Sequence, residues 1–317
     1  MSFNENARLD TSQVESGGSS GGGFGGGGGS FPGGMKVGGG IGGIILLILA
    51  LLFGGDVLGG SSGTGTSAGS SSAGDVTGAG AGSSGNTFSE CQTGADANKN
   101  DTCLVIGTVN SVQNYWEGVF SAAGKTYTPA KTVIYSGTTQ SACGSASNQV
   151  GPFYCPVDGK VYVDASFYDI LAQQFGSSTG NLAKEYVVAH EYGHHVQDLL
   201  GYLGQAQQDP QGAQSGAVRV ELMADCLAGV WAKNASTTKD VSGTPFLNNI
   251  TQQDLTDALS AAKSVGDDHI QSTMGSGQVN PESWTHGSSA ARQRWFLQGY
   301  KAGSINSCDT FSPQTVE

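Results

Sequence analysis

Long stretches of this 317-residue chain cannot contribute to a hydrophobic core. Residues 1–34 and 54–86 are dominated by Gly and Ser. Such segments bury almost no apolar surface and behave as linkers. They inflate the total of 52 glycines, which therefore says little about the folded part. From Thr87 onward aliphatic and aromatic residues recur regularly. The remaining region, 87–317, is about 230 residues long, ample for one sizeable domain.

Between the two Gly-rich segments lies an apolar run from Ile41 to Phe53, inside a charge-free window from Val37 to Gly55. A helix over that window would span about 28 Å, just enough for a bilayer core. The organisation expected is therefore a disordered Gly-rich cytoplasmic arm (1–36), a transmembrane helix (37–55), a Gly/Ser linker (56–86) and a folded domain (87–317). A cleaved signal peptide is the competing reading, with an unusually long charged leader. Lys36 before the window and Asp56 after it favour an N-terminus in the cytoplasm and the folded domain on the extracytoplasmic side of the cell membrane, as a single-pass protein. All six cysteines (91, 103, 143, 155, 226 and 308) follow the apolar run, and none forms a C-x-x-C pair. Disulfides persist outside the cytosol, so this placement fits an exported domain. Cys91–Cys103 and Cys143–Cys155 are expected to pair, because each couple flanks a short polar loop. Cys226 and Cys308 then remain, to pair with each other or to leave Cys226 as a buried thiol.

The whole chain carries 26 Asp and Glu against 14 Lys and Arg. The basic residues are scattered, so neither a nucleic-acid footprint nor a surface for anionic lipid is present. No nucleic-acid partner is expected. Within the folded part, Val105–Ala123 has helical spacing of apolar residues, and Thr132–Tyr135 and Lys160–Val163 read as strands. Further helices are expected over Leu182–Leu200, Ala217–Lys233, Thr251–Val265 and about Ser288–Lys301. The Ser177-Ser178-Thr179 cluster offers N-cap hydroxyls to the first of these, and Thr251 with Asp254 forms a capping box for the third. The fold class is α+β, a small sheet beside several helices.

The helix over Leu182–Leu200 contains His190-Glu191-Tyr192-Gly193-His194. A spacing of four stacks the two imidazoles on one face, where they can share a tetrahedral metal, with Glu191 beside them. Glu221 on the next helix supplies a carboxylate. Two His and one Glu with one open position is the ligand set of a catalytic zinc. Asp225, one turn after Glu221, can accept the second N–H of a ligating imidazole. The metal ligands expected are thus His190, His194 and Glu221, one Zn²⁺ per chain, with Glu191 as general base. His195 points about 100° away from His194 and is not a ligand. Gln197 and Leu200 stand where a three-His site would need Gly and His.

These residues resemble a known family. His190-Glu191-Tyr192-Gly193-His194-His195-Val196-Gln197 and Glu221-Leu222-Met223-Ala224-Asp225-Cys226-Leu227-Ala228-Gly229-Val230-Trp231 are similar to the neutral zinc metallopeptidases of bacteria. So are Gly151-Pro152-Phe153-Tyr154-Cys155-Pro156, Val161-Tyr162-Val163-Asp164, His286-Gly287, Arg294-Trp295-Phe296 and Cys308-Asp309-Thr310-Phe311, together with the Gly-rich arm and single apolar segment. The resemblance covers nearly the whole chain. It implies a membrane-anchored protein with a zincin-like, gluzincin-type site.

The function expected is hydrolysis of a peptide or protein substrate by a zinc-activated water. The alternative is a zinc-stabilised binding or regulatory module of the cell envelope without turnover. Such a module needs no base beside its ligands. Two further expectations concern the substrate. Lys160–Asp164 alternates like an edge strand that a peptide could extend, the other reading being a strand paired on both sides. His286, ahead of the last helix, is the best available donor to an oxyanion, the other reading being a loop or capping residue.

Overall fold

The computed structural model describes residues 1–17, 88–274 and 277–317. The expected transmembrane helix (37–55) and linker (56–86) lie outside the described residues. Among the described residues no helix is long and apolar enough to cross a membrane.

The fold is α+β. Its main sheet holds four strands: β1 (Val14–Ser16), β2 (Lys131–Ile134), β5 (Phe153–Cys155) and β6 (Lys160–Val163). Their spatial order is β1-β2-β6-β5, with β1, β2 and β6 parallel and β5 antiparallel to β6. A separate hairpin, β3 (Thr138–Ser141) and β4 (Gly144–Ser147), is tied to β5 by the Cys143–Cys155 disulfide. Val133, Tyr135, Phe153 and Tyr162 form a small cluster with Ala146 of the hairpin, while Tyr154, Val161 and Val163 belong to the main core. This alternation follows from the period of two along a strand.

The helices are α1 (Gly94–Ala97), α2 (Asp101–Ala122), α3 (Phe167–Phe175), α4 (Asn181–Leu200), α5 (Gly204–Gln208), α6 (Gly216–Asn234), α7 (Gln252–Ser264), α8 (Asp267–Met274) and α9 (Ser289–Ala302). Helix α4 lies at the centre, packed on α2, α6, α7 and the sheet. Two glycines set how closely the central helices approach. A Cβ on Gly193 would lie 3.0 Å from the backbone of Ala224, and one on Gly299 would lie 1.9 Å from the carbonyl oxygen of Cys226. Without those side chains α4 crosses α6, and α6 crosses α9, almost backbone to backbone. Tight crossings at these points bring Glu221 to the α4 histidines and α9 to Asp225.

Three expectations change. The arm over 1–36 is not disordered throughout, because residues 1–17 pack onto the domain through buried Met1, Phe3, Ala7, Leu9 and Val14. Gly/Ser composition outweighed these apolar residues in the sequence reading. The N-cap of α4 is Gly180 rather than a hydroxyl residue. Ser178 is drawn instead to Asp257 on α7, at 2.7 Å, and accepts from the Gly180 N–H at 3.1 Å. Strand β6 is not an edge, since β2 and β5 flank it, so the proposed peptide-docking role of Lys160–Asp164 is withdrawn. Capping by Thr251 and Asp254 takes the form expected. All three disulfides form, including Cys226–Cys308, so Cys226 is no free thiol.

Candidate metal centre and active site

His190 and His194 lie one turn apart on α4, with ring centroids 4.8 Å apart and planes nearly perpendicular. Their Nε2 atoms both face Glu221 of α6. His190 Nε2 is 3.2 Å from Glu221 Oε2, and His194 Nε2 is 3.4 Å from Glu221 Oε1. One ligand atom from each of the three residues falls within 4.8 Å of the other two. That spacing suits a small cation held between them.

The other nitrogens of the two rings are already engaged. His190 Nδ1 is 2.8 Å from Asp225 Oδ1, and His194 Nδ1 is 2.8 Å from Gln197 Oε1. Each acceptor fixes a proton on Nδ1 and leaves the Nε2 lone pair for a metal. Gln197 is itself oriented by donating to the Val220 carbonyl at 2.6 Å. Asp225, fully buried, also accepts from the Tyr186 hydroxyl and from Arg292, Nε to Oδ2 at 2.8 Å and Nη2 to Oδ1 at 3.0 Å. Burial alone would raise the Asp225 carboxyl, but the Arg292 guanidinium and His190 hold it below its usual range.

In the metal-free chain, burial disfavours the imidazolium of His190. Asp225 and Glu221 outweigh that and push its pKa up to about 10. Glu221 is likewise held well below the usual carboxylate range, against burial, by His194, His286 and His190. A metal entering this site therefore displaces a proton. The donor set and its geometry fit zinc.

Glu191 is buried next to the ligands. Burial raises its carboxyl above the ordinary value, while the His190 and His194 charges pull back and Glu221 pushes further. The backbone N–H of Tyr154, on β5, faces this carboxylate and favours its charged form, whereas Oε2 is buried with no partner. A buried carboxylate with an unpartnered oxygen and a raised pKa suits a proton acceptor. Tyr154 is pinned as well, since its hydroxyl donates to Asp198 Oδ2 at 2.7 Å. His195 meets the same hydroxyl at 3.2 Å and the Thr128 carbonyl at 2.7 Å, so it serves packing around α4 and faces away from the ligands.

His286 lies close enough to Glu221 for the two charges to act on each other. Its Nδ1 is 3.0 Å from Thr285 Oγ1 and 3.5 Å from Asp267 Oδ1. Asp267 Oδ2 accepts three successive backbone N–H groups, from Thr285 (2.8 Å), His286 (2.7 Å) and Gly287 (2.9 Å). The loop carrying His286 is thus built around the Asp267 carboxylate. Burial works against the imidazolium, but Glu221 and Asp267 outweigh it and raise the pKa of His286.

His190, His194 and Glu221 lie in one cluster with Glu191 and Asp225 beside it, and His286 acts on Glu221 electrostatically. Reasoning from the sequence missed Gln197 in its orienting role, and also Tyr154, Tyr186, Asp267 and Arg292. Gln197 was legible, three residues after His194 on one helix face. Tyr186 was legible too, one turn before His190 on the same helix, whereas Tyr154, Asp267 and Arg292 come from distant segments and carry no local signal.

Comparison with known proteins agrees with this geometry. The chain is 54% identical over 226 residues to an uncharacterized protein of Mycobacterium tuberculosis, covering 71% of this chain and 75% of that one. An uncharacterized protein of Mycobacterium bovis matches to the same extent. The uncharacterized protein YpfJ of Escherichia coli is 40% identical over 215 residues, covering 66% of this chain and 70% of that one. No solved structure matches. The sequence profile described as "Putative neutral zinc metallopeptidase" matches residues 3–311, and the chain belongs to that family.

Proposed function

We propose that this protein is a zinc-dependent peptidase with a gluzincin-type, zincin-like site. The carrying observation is the pairing of a three-ligand cluster, His190, His194 and Glu221, with an adjacent buried carboxylate whose second oxygen is free. A purely structural zinc site has no use for that carboxylate. Zinc held by the three ligands would act as a Lewis acid toward water and the scissile carbonyl. Glu191 Oε2 is placed to take the proton of the attacking water and to pass it to the leaving amine. His286, held by Asp267, would donate to the oxyanion that develops as water attacks.

Strand β5 takes over the docking role first assigned to β6. It pairs with β6 on one side only and reaches the site through Tyr154. A peptide extending β5 would lie beside Glu191, bound by its main chain. The three disulfides support a location outside the cytosol.

The test is an unbiased peptide library incubated with the purified, zinc-loaded full-length chain. Wild type is expected to give defined cleavage products, and Glu191→Gln to give none while keeping its zinc. Absence of products from zinc-loaded wild type would favour the non-catalytic, zinc-stabilised module instead.

A further inference from the structure

We infer that residues 1–17 are an integral part of the metal-binding domain and lie in the same compartment as it. The observation is the groove that this segment fills. Strand β1 extends the sheet in register with β2, Val14 opposite Thr132 and Ser16 opposite Ile134, and Gly17 N–H donates to the Ile134 carbonyl at 2.8 Å. Two side-chain amides clasp the segment's backbone from both sides. Asn98 accepts from Phe3 N–H at 2.8 Å and donates to Phe3 O at 2.9 Å. Asn110 does the same for Asp10, at 2.8 and 3.0 Å. Backbone bonds run along the whole length, from Asn4 N–H to Phe246 O, from Gly94 N–H to Ala7 O and from Leu9 N–H to Gln92 O.

The groove is shaped for this occupant. Gly107, Asn110 and Gln113 stand in a stripe at helical spacing on α2. A Cβ on Gly107 would lie 2.5 Å from the Phe3 ring, and one on Gly94 would lie 2.0 Å from the Asn4 carbonyl oxygen. Glycine inside a helix costs stability relative to alanine, so its presence at 107 calls for a close approach. Asn110 and Gln113 are buried polar groups, and Gln113 donates to Gln13 at 2.9 Å. Without the segment Asn110 would lose its Asp10 partners and Gln113 its Gln13 partner, leaving Gln113 only the Tyr127 hydroxyl. The Cys91–Cys103 disulfide braces the floor of the groove, joining the stretch before α1 to α2.

The topology follows. One crossing between Gly17 and Phe88 would put the segment and its groove on opposite sides. Docking requires the segment and its groove on the same side. On this inference, a shared side takes the place of the expected cytoplasmic N-terminus with an extracytoplasmic domain.

The test uses the full-length chain in spheroplasts. All native cysteines are paired, so Glu5→Cys or Lys301→Cys, both at exposed positions, introduces the one free thiol. A membrane-impermeant maleimide is expected to treat the two variants alike, before and after lysis. Labelling of one before lysis and of the other only afterwards would overturn the inference. In parallel, a protease site placed between residues 20 and 30 is cut in the purified chain. The N-terminal fragment is expected to co-elute with the domain and to be released by Phe3→Asp. A fragment that separates from the otherwise wild-type domain would also overturn it. Neither readout depends on peptidase activity.

Discussion

Replacing Glu185 by Gln should make the protein more stable at neutral pH and leave it unchanged in mild acid. Glu185 lies on α4, fully buried, and neither of its oxygens has a partner. Burial pushes its carboxyl up from 4.5 to about 8; the N-terminal amine pulls partly back, and Asp254 pushes it further up. Between those values the native state holds a proton that the unfolded chain has released. Stability then falls as pH rises, by about 1.4 kcal/mol per unit from this group alone. The contribution is intact below about pH 4.5, declines through neutrality and is exhausted above about pH 8. Glutamine has nearly the same shape and never ionises. The difference between variant and wild type should be near zero at pH 4.5 and grow to at most about 4 kcal/mol by pH 7.5. That is an upper bound, because a protein interior relaxes around a charge. At about 2–4 °C per kcal/mol for a domain of this size, the shift in Tm should be easily seen. The assay is urea denaturation of both proteins at matched zinc from pH 5 to 8. Parallel stability curves would show that Glu185 does not hold its proton in the fold, and would refute the reasoning.

Four other outcomes are expected. Metal analysis of the His190→Ala/His194→Ala double variant should find zinc lost, and undiminished stoichiometry would remove the ligand assignment. Arg292→Met should weaken zinc binding, as should Asp225→Asn, each by roughly 10–100-fold in a competition titration, because both disturb the hydrogen bond that orients His190. His286→Ala should lower turnover by about 10²–10³ with zinc content and folding unchanged, whereas wild-type turnover would return His286 to a loop-forming role. Gly107→Ala should destabilise the full chain by about 1–3 kcal/mol in chemical denaturation, since the added methyl meets the Phe3 ring.

What the sequence determined by itself was local. His190, Glu191 and His194 share one short stretch of one helix, and a spacing of four places the imidazoles together in any fold that keeps the helix. The same argument carried Glu221 with Asp225. The Cys91–Cys103 and Cys143–Cys155 pairs were legible because each closes a short loop. Tertiary structure decided what depends on segments far apart in sequence. Arg292 reaches Asp225 only because Gly299 lets α9 approach α6 closely. Tyr154 N–H reaches Glu191 only because β5, not β6, forms the sheet edge beside α4. Residues 1–17 were the largest omission. Their strand is three residues long, too short for a period to register, and a Gly-rich tract follows it. Local spacing fixes which side chains share a face, but only packing chooses which faces meet, and the groove that orders this segment exists only once α2, β2 and the stretch before α1 are in place.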